Sequence, residues 1–214
     1  MKPSLTLLTA FLFLVLTTAC TKKSEEKETI VLKPSNNTTE IHFFGNSTLD
    51  QSNGLAPEIG AAAWTYLGEE VSMRAALKFD LSSIPANAEI VSAKLDLYSN
   101  PENLNGNDAG PNFGTNNAML IQRATSSWDM YSSWAEQPSS INVNEIRIPH
   151  TNKPILDLLD IDVTAMVKDM AALGNYGFKI FLENEEAYNS RIFCSSKFHD
   201  SSKHPALEIS YIKK

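Results

Sequence analysis

Short runs in which every second residue is apolar set what this chain can fold into. In "AALKFDL", Leu77, Phe79 and Leu81 alternate with Lys78 and Asp80; in "AKLDLYS", Leu95 and Leu97 alternate with Lys94 and Asp96. The period returns in "GFKIFLEN", with Phe178, Ile180 and Leu182 on one side, and in "PALEISY", with Leu207, Ile209 and Tyr211. A period of two is that of a β-strand with one buried face. Each run is bounded by Gly, Pro, Asn or Ser, so short antiparallel strands joined by turns are expected, stacked as a β-sandwich. About 175 residues of this kind suffice for one core, and nothing marks a second domain.

One helix is predicted among the strands. "DVTAMVKDMAALGNYGF" spaces Val163, Met166, Val167 and Met170 on one helical face, with Asp162 as expected N-cap and Gly174 at the C-terminal glycine position. The methionine stripe reads as packing.

The N-terminal stretch stands apart. Lys2, the apolar run Leu5–Leu16 and the small residues Thr17–Ala19 compose an export signal, too short to span a bilayer. "LTTAC" resembles the lipobox of bacterial lipoproteins, which implies acylation of Cys20. Thr17 stands where a lipobox prefers Leu, which leaves cleavage without lipid as the second outcome. Residues 20–38 are polar and charged apart from Ile30–Leu32 and are expected to be a flexible tether. Ser24-Glu25-Glu26 is similar to the surface-export signal of Bacteroidetes lipoproteins, and equally fits a solvated linker. The expected organisation is therefore a signal peptide over 1–19, a lipidated cysteine and tether over 20–38, and a folded domain over 39–214. The expected location is the outer membrane or cell surface, by a lipid anchor.

Charge and cysteine content narrow the function. The chain carries 18 Lys+Arg against 25 Asp+Glu, and residues 39–214 hold 13 of those bases and 22 of those acids, a net −9. An acidic domain of this kind is no nucleic-acid binder. With Cys20 carrying lipid, Cys194 has no partner; in the apolar "RIFCSS" it reads as a small core residue.

The corner "MRAALKFDLSSIPANAEIVSAKLDLY" is more specific than ordinary strand sequence. It resembles the DNRLRE domain, also called the disaggregatase-related repeat, whose hallmark is an arginine before a strand ending Phe-Asp-Leu-Ser, an Ile-Pro turn and an Ile-x-x-Ala-x-Leu strand. "ATSSWDMYSSWAEQP", "DVTAMVKDMAALGNYGFKIFL" and "FCSSKFHDSSKHPALEISY" match further segments of that family in order. The chain departs from it at Met170–Leu173, Lys197 and His204, and at "PEIG". The resemblance implies a jelly-roll-like antiparallel β-sandwich with one short helix, on secreted and surface proteins. It also implies a module similar to carbohydrate-binding modules, some of which bind acidic polysaccharide.

A glycan site would combine exposed aromatic rings with loop polar groups. Trp64 and Tyr131 are the expected exposed rings among Trp64, Tyr66, Trp128, Tyr131, Trp134, Tyr176 and Tyr188, with Trp134 and Tyr176 expected to serve the core. The loop "NPENLNGNDAGPNFGTNN" reads either as a polar binding rim or as a mobile connection. Arg191, Lys197, His199, Lys203 and His204 could meet uronate carboxylates or sulfates if loops gather them on one face; otherwise they form a solvated basic edge. Glu183, Glu185 and Glu186 are a weak candidate for a structural Ca²⁺, against the simpler reading of solvated turn acids. No other cofactor is expected.

An enzyme is the competing class. Asp157, Asp160 and Asp162 offer carboxylates, but Asp162 reads as a helix cap and the others as outward positions. A glycosidase needs a facing pair that sequence spacing does not reveal, and His42, His150, His199 and His204 lack metal-ligand spacing. The leading expectation is a non-catalytic polysaccharide-binding surface module. Its alternative is a structural or adhesive envelope protein with a protein partner.

Overall fold

The structure is a computed structural model and describes residues 26–34, 39–103 and 109–214. The expected export signal and Cys20 lie outside the described residues. Among these residues thirteen strands and one α-helix follow in chain order, with a 3-10 turn at Ser201–Lys203: β1 (Lys27–Leu32), β2 (Glu40–Gly45), β3 (Asp50–Asn53), β4 (Glu58–Tyr66), β5 (Glu69–Leu77), β6 (Glu89–Leu97), β7 (Asn112–Phe113), β8 (Met119–Ala124), β9 (Ser140–Ile148), β10 (Leu158–Asp162), α1 (Thr164–Leu173), β11 (Phe178–Leu182), β12 (Asn189–Cys194) and β13 (Ala206–Ile212).

All named strand pairs are antiparallel, and they make two sheets. One has the order β1-β13-β6-β10, the other β7-β12-β4-β5-β11-β8-β9, with β2 added along β5 and β3 beyond it. The main core lies between them. Leu95, Leu97, Leu207 and Ile209 come from the first sheet, and Ile59, Leu77, Ile121, Phe178, Ile180 and Phe193 from the second. Met166, Val167 and Met170 of α1 join the same core, as their spacing predicts. A smaller core of Ile41, Phe43, Ala76 and Trp128, with Trp134 packed on it, forms under the segment between β8 and β9.

The corner between β5 and β6 shows why its sequence is so particular. Phe79 is buried at the turn's start, Asp80 Oδ1 accepts from Ser82 N at 2.9 Å, and Ala88 N donates to Pro85 O at 2.9 Å. Ala93 and Leu95 then resume the buried face.

Three expectations change. Lys27–Leu32 is strand, not tether: it pairs residue by residue with β13, from Lys27↔Ile212 to Leu32↔Leu207, and Ile30 and Leu32 pack on the core. The apolar patch at Ile30–Leu32 was the signal, masked by its charged surroundings. Asp162 is not the N-cap itself; Val163 holds that place, and Asp162 Oδ1 accepts from Thr164 N at 3.0 Å and Thr164 Oγ1 at 2.6 Å. Those bonds hold its carboxyl below the usual range. The described flanks of the 100–117 loop are tied down rather than loose: Asn100 Nδ2 donates to Glu58 Oε2 at 3.0 Å, and Asn117 is buried on the carbonyls of Phe113 and Thr151.

A chain cut to begin at residue 39 therefore loses an edge strand. Replacing Ile30 by Ser is expected to lower stability by about 1–2 kcal/mol, read as a shifted urea midpoint, whereas a tether position would leave the midpoint unmoved.

Candidate functional site

Arg74 organises the region where the exposed aromatics gather. Along one edge of β5, β4 pairs with Glu69–Met73 and β11 with Ala75–Leu77, while β2 pairs with Ser72–Leu77 on the other edge. Arg74 is left between the two successive partners. Its guanidinium holds Glu185 with both oxygens, Nε and Nη2 each at 2.7 Å, and Nη1 donates to Gln137 Oε1 at 3.0 Å. It also stacks 4.6 Å from the ring centroid of Trp134. The two-point fork is the strongest geometry an arginine offers a carboxylate, and the aromatic face adds to it.

These contacts shape a groove of about 360 Å³ walled by Gly45–Ser47, Glu70–Ser72, Trp134, Glu185 and Ala187. Gly45 makes room for the tryptophan: a Cβ there would stand 2.6 Å from Trp134 Cγ. Trp134, expected in the core, both packs on the smaller core and lines this groove.

One residue beyond Ala187 begins an aromatic set. Trp64 meets Tyr188 at 5.3 Å between centroids and Phe113 at 5.6 Å. Tyr188 is 50% exposed and Phe113 39%. Tyr66, two residues along β4 from Trp64, is exposed and packs edge-on against Phe44 at 5.9 Å. Asn189 fixes this turn, since its Oδ1 accepts from Asn116 N at 2.7 Å and its Nδ2 donates to Glu186 O at 3.0 Å. Gly114, at φ +89, has no room for a side chain; a Cβ would stand 2.3 Å from Tyr188 O.

Of the expected exposed rings, Tyr131 is 80% exposed on the β8–β9 segment, and Trp64 is half-buried as the centre of the set just described. Tyr176 is half-buried, and its carbonyl accepts from Trp128 Nε1 at 2.7 Å. Phe113 was missed as a ligand candidate, because its place beside β12 depends on a two-residue strand no pattern reveals. Tyr188 was in view only as one of seven rings.

The basic residues near the C-terminus do not form one face. Arg191 is fully buried in β12, which is the largest departure from expectation. Lys197 Nζ lies 3.7 Å from the buried Glu40, whose Oε1 also bonds Ser196. Lys203 lies 3.4 Å from Asp157 and over the ring of Tyr98, His199 is exposed 3.7 Å from Glu102, and His204 Nε2 meets Phe198 O at 2.8 Å. Carboxylates thus face three of them individually.

The three glutamates also part company. Glu183 pairs with Arg147 at 2.7 Å, Glu185 with Arg74, and Glu186 Oε2 lies 3.5 Å from Asn116 Nδ2. Arginines have taken two of the acids the Ca²⁺ reading needed, and no group of three or more His, Cys, Asp or Glu among the described residues could hold a metal ion. Cys194 is buried, and burial pushes its thiol up to about 12. That environment suits packing rather than reactivity.

A two-sheet antiparallel sandwich whose rim carries half-exposed rings beside a polar groove has the build of a carbohydrate-binding module. Residues 45–211, well over half of the chain, match carbohydrate-binding module family 96, and the chain belongs to that family. The family shown is thus a carbohydrate-binding one under a different name from that suggested by the motifs. No curated protein matches the chain.

Two outcomes follow from Arg74 and its neighbour Lys179. Arg74→Lys keeps the charge but loses the fork and the ring contact, and is expected to cost about 1.5–3 kcal/mol in urea denaturation. Lys179 Nζ donates to Pro138 O at 3.0 Å, and burial, then the charge of Arg74, pushes its ammonium down to about 8 from 10.5. Between those values the unfolded chain binds the more protons, so the penalty for burying this charge is relieved as pH rises from about 8 toward 10.5. Lys179→Met is expected to remove that rise, so that its advantage over the parent shrinks across the window.

Proposed function

We propose that this domain binds polysaccharide without cleaving it, at the cell envelope, where lipid on Cys20 holds it. The observation that carries the reading is the set Trp64, Phe113 and Tyr188 beside the Trp134 groove, inside the region that matches the family. Rings at different tilts offer faces on which sugar rings stack, and Glu70, Ser72 and Asn46, which line the groove with Trp134, supply hydroxyl partners. Tyr131, exposed on the segment that also holds Trp134, is the outlying contact. Lys197, His199 and Lys203 are peripheral in this reading, because each already faces a carboxylate.

The test uses a chain beginning at residue 21, which keeps β1, in native gels cast with neutral, uronic-acid or sulfated polysaccharide, beside an assay for released reducing ends. Retardation without release is expected. Tyr188→Ala, at a half-exposed ring, is expected to weaken it about tenfold, the effect of one lost hot-spot contact; Tyr131→Ala is expected to weaken it less. Retardation by no polymer would overturn the glycan reading and favour a protein partner. Release of reducing ends would make the domain an enzyme.

A further inference from the structure

Arg191 places a cation in the interior with most of its bonding capacity unused. In β12 it pairs with Ala61 of β4, two residues from the Phe193↔Ile59 pair, so its side chain leaves the sheet on the core side. The residue is 0% exposed. Burial alone pushes its guanidinium down to about 10, which leaves it charged at neutral pH. Nη1 donates to Pro149 O at 3.1 Å, while Nε and Nη2 are buried without a hydrogen-bond partner among the described residues. An arginine so placed and so unpaired is costly unless something meets its charge.

The two idle nitrogens are not an arbitrary pair. They form the edge of the guanidinium that grips a carboxylate through parallel bonds, and Arg74 uses the same Nε and Nη2 to hold Glu185 at 2.7 Å twice. Among the described residues no carboxylate meets that edge on Arg191. Arg191 instead lines a cleft of about 490 Å³ with the end of β9 and the chain leading into β10, walled by Ile148, Leu156, Leu158 and Ile161. Among the described residues of that lining the one acid, Asp157, is occupied by Ser99 N at 3.0 Å and by Lys203. His150 has both ring nitrogens engaged with Asn117 and Asn152. The exposed Lys153 adds a second positive charge to the lining.

We propose that this cleft binds the carboxylate of a small acid, held by Nε and Nη2 of Arg191 with the apolar walls around the rest of the ligand. The cleft shares no residue with the aromatic-lined groove, so it is a second site that stands whether or not the first binds glycan. Its volume suits a small organic acid or one acidic sugar. A fork of two donors favours the two-oxygen geometry of a carboxylate over a spherical halide.

The experiment follows the arginine Nε–H signals of the full chain by ¹H–¹⁵N NMR during additions of sodium acetate, sodium glucuronate and, at matched ionic strength, sodium chloride. The Arg191 signal is assigned through its backbone and checked by its absence in Arg191→Gln. It is expected to shift saturably with acetate, glucuronate or both, and not with chloride. Acetate alone being active makes a small organic acid the ligand, and glucuronate alone an acidic sugar. Leu159→Trp, at an exposed position lining the cleft, leaves Arg191 intact and is expected to weaken the effect about tenfold or more. No saturable shift with either carboxylate, an equal response to chloride, or indifference to Leu159→Trp overturns the proposal.

Discussion

The fork between Arg74 and Glu185 joins segments that would otherwise be independent. Arg74 stands where β5 passes from one neighbour to the next, so its side chain is free of a second strand on that edge. Glu185 brings in the turn between β11 and β12, and Gln137 and Trp134 bring in the segment between β8 and β9. Three stretches far apart in sequence thereby close around one guanidinium. The wall of the groove and, one residue on, the placement of Tyr188 both depend on it. A lysine cannot replace that arrangement, since a point charge neither forks nor stacks in the same way.

That arginine opens the motif by which the sandwich was readable, and the physics explains why the motif was informative. Phe79, Ala93 and Leu95 occupy the buried face their alternation predicts, and Val163, Met166, Val167 and Met170 the buried face of α1, because one-sided burial imposes a period on sequence. Where burial is two-sided, the period fails. In β12, Asn189 through Cys194 are buried without interruption, and a polar sequence there gives no warning that Arg191 turns inward. In β1 the alternation of burial is present, but three of its six residues are charged or polar, and composition argued for a tether.

The candidate site was less legible than the fold. Trp64 and Tyr131 were identifiable as rings, yet the partner that makes Trp64 part of a surface, Phe113, arrives through pairing of β7 with β12 across a sequence separation no local pattern encodes. The charged residues misled for a related reason. Lys197, His199 and Lys203 each face a carboxylate from a distant element, so a basic cluster in one stretch of sequence dissolves into separate pairs in space. Such pairs contribute little individually, but they cancel the local field that a cluster would have projected.

The pairing of β1 with β13 also sets how the domain would bear a pull. The six-residue ladder from Lys27↔Ile212 to Leu32↔Leu207 lies at the very edge of its sheet, and the chain that precedes Lys27 enters it at one end. Tension along the strand would load its rungs together, in shear, and the ladder would resist as a unit. Tension across the sheet would open it from Lys27 inward, one rung at a time. The direction of a pull on the chain at Lys27 would therefore decide whether this edge acts as a rivet or as a zip.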